Sequence, residues 1–229
     1  MPPPRAASLP NVIPCFAHSA DLLSQDSKTT HGRAVRRGLV LGIGVEREVK
    51  FLVSSWSQGE TLLTGTAGRI REARYWEVNS LFDFPDGSLR AKGQALRVRR
   101  ARGGAWITLK EPAPGGGRLK HRNEYESTVA DADAVERILR ALGMVEQFRY
   151  EKYRQVYDLG DLEGCLDETP IGCYIELEGS AESIHDVAER LGLSMDDGIV
   201  LSYPELYEDH RRRFAEASPF MVFPDEARS

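Results

Sequence analysis

Apolar and polar residues alternate from Val45 to Phe51. Alternation over seven residues is typical of a half-buried β-strand. The polar face is unusual because it carries two carboxylates and an ammonium group in a row. Taken alone, such a face is typical of an exposed strand with mixed charges. The three charged residues are Glu46, Glu48 and Lys50.

The same arrangement of charges on one face recurs along the chain. The alternation predicts strands at about 43–53, 71–84, 95–100, 106–110, 122–126, 148–159, 165–168 and 174–178. Helical spacing predicts helices within 54–70 and at 131–142, 183–191 and 203–214. The polar faces carry the carboxylates Glu46, Glu48, Glu124, Glu126, Asp167, Glu176 and Glu178, and the basic residues Lys50, Arg97, Arg99, Lys110, Arg122, Lys152 and Arg154.

The beginning of the chain lacks this patterning. Five of the first fourteen residues are proline, and no apolar periodicity follows them. We therefore expect residues 1–40 to be a disordered or loosely attached extension. A single domain is predicted over 41–215, followed by a C-terminal tail at 216–229.

Composition narrows the class of protein. The chain has 229 residues and a net charge of −5, which argues against a nucleic-acid binder. From Lys92 to Glu126, however, nine basic residues stand against three acidic ones, and such a block predicts an anionic ligand. Three cysteines without metal-ligand spacing indicate neither a disulfide framework nor a zinc site, which fits a cytoplasmic location. No apolar run suits a membrane span or a signal peptide.

Two arrangements explain the charged faces. In the first, a sheet presents salt-bridged pairs to water. In the second, the strands close into a barrel with the charges inside. Unpaired charges there cost several kcal/mol each, so the ions must pair or hold a ligand. A triphosphate bound with Mg²⁺ or Mn²⁺ provides partners for both kinds of charge. The metal binds carboxylate and phosphate oxygens, while Arg and Lys neutralise the remaining phosphate charge.

The order of the charged motifs resembles one known family. Glu46-x-Glu48-x-Lys50 is similar to the Glu-x-Glu-x-Lys signature of the CYTH family, the triphosphate tunnel metalloenzymes. Ser202-Tyr203 resembles an ending found in members similar to class IV adenylyl cyclases and thiamine triphosphatases. The resemblance covers about residues 43–210. The intervening motifs follow in the family's order: Leu96–Arg99, Thr108–Lys110, Arg122–Glu126, Glu151–Arg154, Leu166–Glu168 and Glu176–Gly179.

The resemblance implies an α+β fold, an eight-stranded antiparallel β-barrel that forms a tunnel with helices packed outside. It implies metal binding by Glu46, Glu48, Asp167, Glu176 and Glu178. It implies phosphate binding by Lys50, Arg97, Arg99, Lys110, Arg122, Lys152 and Arg154, with catalysis centred on Glu48, Lys50, Arg97 and Lys110. Glu124 and Glu126 would help to hold a second metal or orient basic side chains.

The implied activity is the metal-dependent cleavage of inorganic triphosphate or of an organic one such as thiamine triphosphate or ATP. The alternative is a class IV-type adenylyl cyclase that makes cyclic AMP and pyrophosphate from ATP. A third option is a sensor without catalysis, which the presence of all the metal carboxylates argues against. We expect no nucleic-acid or membrane partner, and a homodimer stays open.

Overall fold

The computed structural model describes residues 44–66, 68–115, 117–214 and 217–225. The extension predicted at 1–40 lies outside these ranges. The strands are β1 Gly44–Val53, β2 Arg69–Asp83, β3 Ala95–Ala101, β4 Gly104–Pro112, β5 Lys120–Val129, β6 Val145–Asp158, β7 Glu163–Thr169 and β8 Gly172–Glu178. The α-helices are α1 Trp56–Gly65, α2 Ser88–Ala91, α3 Ala132–Ala141, α4 Ala181–Arg190 and α5 Tyr203–Arg213.

The strands close into an antiparallel barrel in the order β1-β5-β4-β3-β2-β6-β7-β8. Strand β1 completes the circle because it pairs with β5 through Glu46 and Arg122 and with β8 through Lys50 and Glu176. Closure leaves no unpaired sheet edge. The predicted eight-stranded barrel is therefore confirmed.

The main hydrophobic core lies outside the barrel wall. Val49 and Phe51 of β1 pack with Leu63 of α1 and Ile184 of α4, and all four are almost fully buried. Since side chains alternate across a strand, the opposite face of β1 points into the barrel. Packing the helices against the apolar side thus assigns the charged side to the interior.

Helix α3 was predicted from its spacing, but its buried face differs from the apolar residues that predicted it. Leu139 is buried, whereas Ile138 and Leu142 remain 57% and 66% exposed. Glu136 is buried instead, where it accepts hydrogen bonds from Arg100 of β3 and from Arg140. The buried face therefore combines Val135 and Leu139 of the predicted apolar stripe with the ion-paired Glu136.

The C-terminal segment 217–225 packs on β6. Met221 is fully buried, and its backbone bonds to the backbones of Arg149 and Glu151 at 3.0 and 2.9 Å. The Phe223 ring lies 5.4 Å from the ring of Tyr153. Across the described residues, no helix is long and apolar enough to cross a membrane.

Candidate functional site: a charged tunnel

Lys50 stands between two carboxylates inside the barrel. Its Nζ lies 2.9 Å from Glu48 Oε1 and 3.0 Å from Glu176 Oε2, and the three side chains are buried. Burial opposes the charge on Lys50, yet Glu176 and Glu48 raise its pKa above the usual value. Burial also opposes the charge on Glu48, but Lys50 lowers the pKa of this carboxyl. The structure therefore joins three predicted residues in one ionised cluster.

A second cluster surrounds Asp167, which is fully buried. Its carboxylate accepts hydrogen bonds from Lys152 Nζ at 2.9 Å and from Arg154 Nε and Nη2 at 2.7 Å each. The Tyr203 hydroxyl donates a further bond at 2.6 Å. Arg154 also reaches Glu176 at 2.8 Å, which connects this cluster to the first. Four donors thus hold Asp167, which was predicted to bind metal.

Lys110 of β4 contacts Glu46, the first residue of the Glu46-x-Glu48-x-Lys50 motif. Its Nζ lies 2.7 and 2.6 Å from the two carboxylate oxygens of Glu46 and 3.3 Å from Glu124. The pKa of Lys110 is raised because Glu46, Glu48 and Glu124 outweigh its burial. Lys110 therefore joins three consecutive strands of the barrel wall, β4, β5 and β1.

The two arginines of β3 face the carboxylates of β5. Arg97 lies 3.8 Å from Glu124 and 3.6 Å from Glu126, while Arg99 lies 3.2 Å from Glu126. The Arg99 guanidinium lies 5.0 Å from the centroid of the Trp106 ring. Glu124 and Glu126 thus form ion pairs with basic side chains of β3, and their predicted roles stay predictions.

Arg122 differs from the other predicted basic residues. Its Nη1 donates to the backbone carbonyl of Gly93 at 2.7 Å, and its buried Nε has no hydrogen-bond partner in the described part of the chain. The structure therefore places Arg122 against the loop between α2 and β3, on the same face of β5 as Glu124.

The metal prediction depends on the arrangement of carboxylates. Nowhere in the described ranges do three Asp, Glu, His or Cys side chains stand close enough together to hold a metal ion, and Glu46 and Glu48 pair with lysines. Burial, together with Glu46 and Glu176, raises the pKa of Glu178 to about 8. The raised pKa reflects repulsion between Glu178 and the carboxylates near it, and a bound cation would reduce this repulsion. Carboxylate oxygens also fit Mg²⁺ or Mn²⁺ in donor type.

Helix α5 begins with Tyr203, which lies beside the basic residues of the tunnel. The Tyr203 ring centroid lies 5.4 Å from Lys50 Nζ and 4.7 Å from Lys152 Nζ. The ring also packs at 5.8 Å against Tyr150 and Tyr174. The same first turn of the helix is tied to β5 by Lys120 Nζ, which lies 3.1 Å from Glu205. The Tyr203 ring therefore packs against the ammonium groups of Lys50 and Lys152.

Sequence reasoning missed two interior residues of β2, namely Glu77 and Asn79. Glu77 is 1% exposed and lies 3.5 Å from Lys152 Nζ, and Asn79 is fully buried beside it. The signal was present, because Tyr75, Glu77 and Asn79 alternate with apolar neighbours in the predicted strand. Only one of the three is charged, so the stretch did not repeat the paired-charge pattern.

Comparison with known proteins gives a family and several relatives. The CYTH domain profile matches residues 44–203. The adenylate cyclase CyaB of Aeromonas hydrophila is 29% identical over 157 residues, or 62% of this chain and 78% of that protein. A proposed adenylate cyclase of Methanocaldococcus jannaschii is 29% identical over 136 residues, or 55% of this chain and 77% of that protein.

Solved structures share the fold. The PH1012 protein of Pyrococcus horikoshii is 26% identical with a TM-score of 0.61, and the match covers 70% of this chain and 98% of that one. A Hippeastrum protein described as having a dominant triphosphatase activity is 18% identical with a TM-score of 0.56, over 72% and 96% of the two chains. At this lower identity the likeness concerns the fold alone.

Proposed function

Since this chain belongs to the CYTH domain family, we propose that it is a divalent-metal-dependent phosphohydrolase of triphosphates. The observation that carries the proposal is the convergence of basic side chains from β1, β3, β4 and β6 inside one closed barrel. A linear chain of phosphates is the ligand that suits cations arranged around a tunnel. The substrate is inorganic triphosphate or an organic triphosphate.

The charge balance of the tunnel supports the need for metal. The seven predicted carboxylates and Glu77 face the seven predicted basic residues and Lys120, and most of them already form ion pairs. A triphosphate adds several negative charges to this balanced interior, where uncompensated charge is costly. A divalent cation that enters with the substrate would offset them.

We assign roles to the residues as follows. Lys50, Arg97, Arg99, Lys110, Arg122, Lys152 and Arg154 bind the phosphates, and Glu46, Glu48, Glu176 and Glu178 hold Mg²⁺ or Mn²⁺. The bound metal supplies charge neutralisation at the phosphoryl oxygens. The basic side chains stabilise the charge that develops there during in-line displacement. Asp167 orients Lys152 and Arg154 rather than binding metal, because four donors already occupy it.

Cyclisation of ATP is the second candidate, and the relatives named adenylate cyclases support it. Hydrolysis is favoured because basic side chains around a tunnel suit a chain of phosphates without requiring a site for the base, and because a protein of the same fold is described as having a dominant triphosphatase activity. The free thiols of Cys165 and Cys173 support a cytoplasmic location.

The proposal is tested by orthophosphate release from inorganic triphosphate with Mg²⁺ or Mn²⁺. We expect release that EDTA abolishes and that Glu48→Gln eliminates. Glu151→Gln is the matched control, because Glu151 is a buried carboxylate on the outer side of β6 that accepts a bond from the Phe223 backbone. Release by Glu48→Gln at the wild-type rate, or no release by the wild type, would contradict the proposal.

A further inference from the structure

Strand β2 places two unsatisfied hydrogen-bond acceptors inside the tunnel. Asn79 Nδ2 donates to Glu77 Oε1 at 3.1 Å, which fixes the amide orientation because a carboxylate only accepts. Glu77 Oε2 and Asn79 Oδ1 are buried and have no hydrogen-bond partner among the residues described. The two side chains are 1% and 0% exposed. Buried acceptors without a donor are rare in folded proteins and call for an explanation.

The pair lies among the residues that would bind phosphate. In the barrel wall Glu77 is opposite Lys152, and Asn79 is opposite Arg99. Burial raises the pKa of Glu77, but Lys152, Arg154, Arg99 and Arg97 together lower it to about 2. Glu77 is therefore a permanent carboxylate surrounded by cations.

The chemistry of the substrate does not satisfy these acceptors. Phosphate oxygens are themselves acceptors, and they draw Lys and Arg donors toward the substrate and away from Glu77. Two neighbouring free acceptors suit a small group with two donor hydrogens, and water is such a group. On the basis of the proposed function, we propose that Glu77 and Asn79 hold and orient the water molecule that attacks the triphosphate.

The step is balanced without an external reactant. The water oxygen bonds to the terminal phosphorus as the bond from that phosphorus to the bridging oxygen breaks, and the bridging oxygen leaves with the pyrophosphate unit. Both water hydrogens end on the released orthophosphate. Phosphoryl transfer through a loose transition state requires the attacking water to be oriented rather than deprotonated in advance, so acceptors for its two hydrogens are sufficient.

A simple counter-ion role for Glu77 predicts different kinetics. A counter-ion that only positions Lys152 and the arginines affects phosphate binding, so its loss changes KM. A residue that orients the nucleophile acts in the chemical step, so its loss lowers kcat and leaves binding intact. The two roles are therefore separable by measuring kcat and KM together.

The test uses Glu77→Gln and Asn79→Ser in the full-length protein, with Glu151→Gln as the control for a buried carboxylate. We expect each tunnel variant to lower kcat for inorganic triphosphate by about 100-fold, the scale of a misplaced reactant. KM and the calorimetric Kd of a non-hydrolysable ATP analogue should stay within about twofold. Circular dichroism checks that each variant is folded. If Glu77→Gln does not fold, the test rests on Asn79→Ser, which changes no charge.

Two results would overturn the inference. One is an unchanged kcat in the variants, and the other is a raised KM with kcat preserved, which identifies a counter-ion. Failure of the proposed function looks different, because the wild type itself would then release no orthophosphate.

Discussion

The Tyr203 hydroxyl donates a hydrogen bond to Asp167 Oδ2 over 2.6 Å, across 36 positions of the chain. Both side chains are buried, and Asp167 also accepts bonds from Lys152 and Arg154. The first residue of α5 therefore helps to fix the carboxylate that holds Lys152 and Arg154, two residues that we propose to bind phosphate. The C-terminal part of the domain is in this way connected to the chemistry of the tunnel.

Replacing Tyr203 by Phe should weaken both stability and substrate binding. The change removes a buried hydrogen bond to a carboxylate, and such bonds contribute about 1.5–3 kcal/mol. We expect a loss of this size in urea unfolding and a higher KM for triphosphate, because Asp167 would hold Lys152 less rigidly. Tyr207→Phe is the control, since that hydroxyl donates to the backbone carbonyls of Ser218 and Phe220. An equal rise of KM in both variants would refute the link through Asp167.

Asp167 and Glu48 should respond differently to metal titration. Glu48→Gln removes a proposed ligand, so we expect Mn²⁺ affinity, measured by electron paramagnetic resonance, to fall by about tenfold or more. Asp167→Asn should keep its Mn²⁺ affinity but lose about 3–5 kcal/mol of stability, because it removes the nearest of the two carboxylates that each of Lys152 and Arg154 contacts. Loss of Mn²⁺ binding in Asp167→Asn would restore this residue to the set of metal ligands.

The metal-free protein should lose stability as the pH rises toward 8. The pKa of Glu178 is about 8 in the folded protein against an ordinary value of 4.5, so the folded state binds this proton more tightly than the unfolded state. The contribution is complete below the ordinary value and is lost as the pH rises through about 8. Glu46, whose pKa burial also raises, acts in the same direction.

The measurement is the melting temperature in EDTA between about pH 5 and pH 8.5. Glu178→Gln should flatten the decline over this range, because its side chain has no proton to lose. A decline that is just as steep in the variant would assign the effect to other groups.

The sequence predicted the charged face of the sheet most clearly in β1, where the apolar residues stand on one side of the strand. Glu48 and Lys50 alternate with Val49 and Phe51, and the core outside the barrel buries the latter pair. Period two thus determines which face is charged. The resemblance to a family supplied closure into a tunnel, since alternation alone also fits a sheet with one face in water.

Long-range contacts could not be predicted from the pattern. The four hydrogen bonds to Asp167 come from three residues on two elements, so its surroundings depend on tertiary packing. Met221 has no periodic neighbours, yet it is fully buried on β6. Glu77 is a single charge in its strand and becomes part of the tunnel only through the pairing of β2 with β6.

The most direct test of the proposed function is phosphorus-31 NMR of ATP incubated with the pure protein and Mg²⁺ or Mn²⁺. If water attacks the terminal phosphorus in the tunnel, the products are ADP and orthophosphate, and EDTA suppresses both. Cyclic AMP and pyrophosphate as the products would contradict hydrolysis and establish the cyclase in its place.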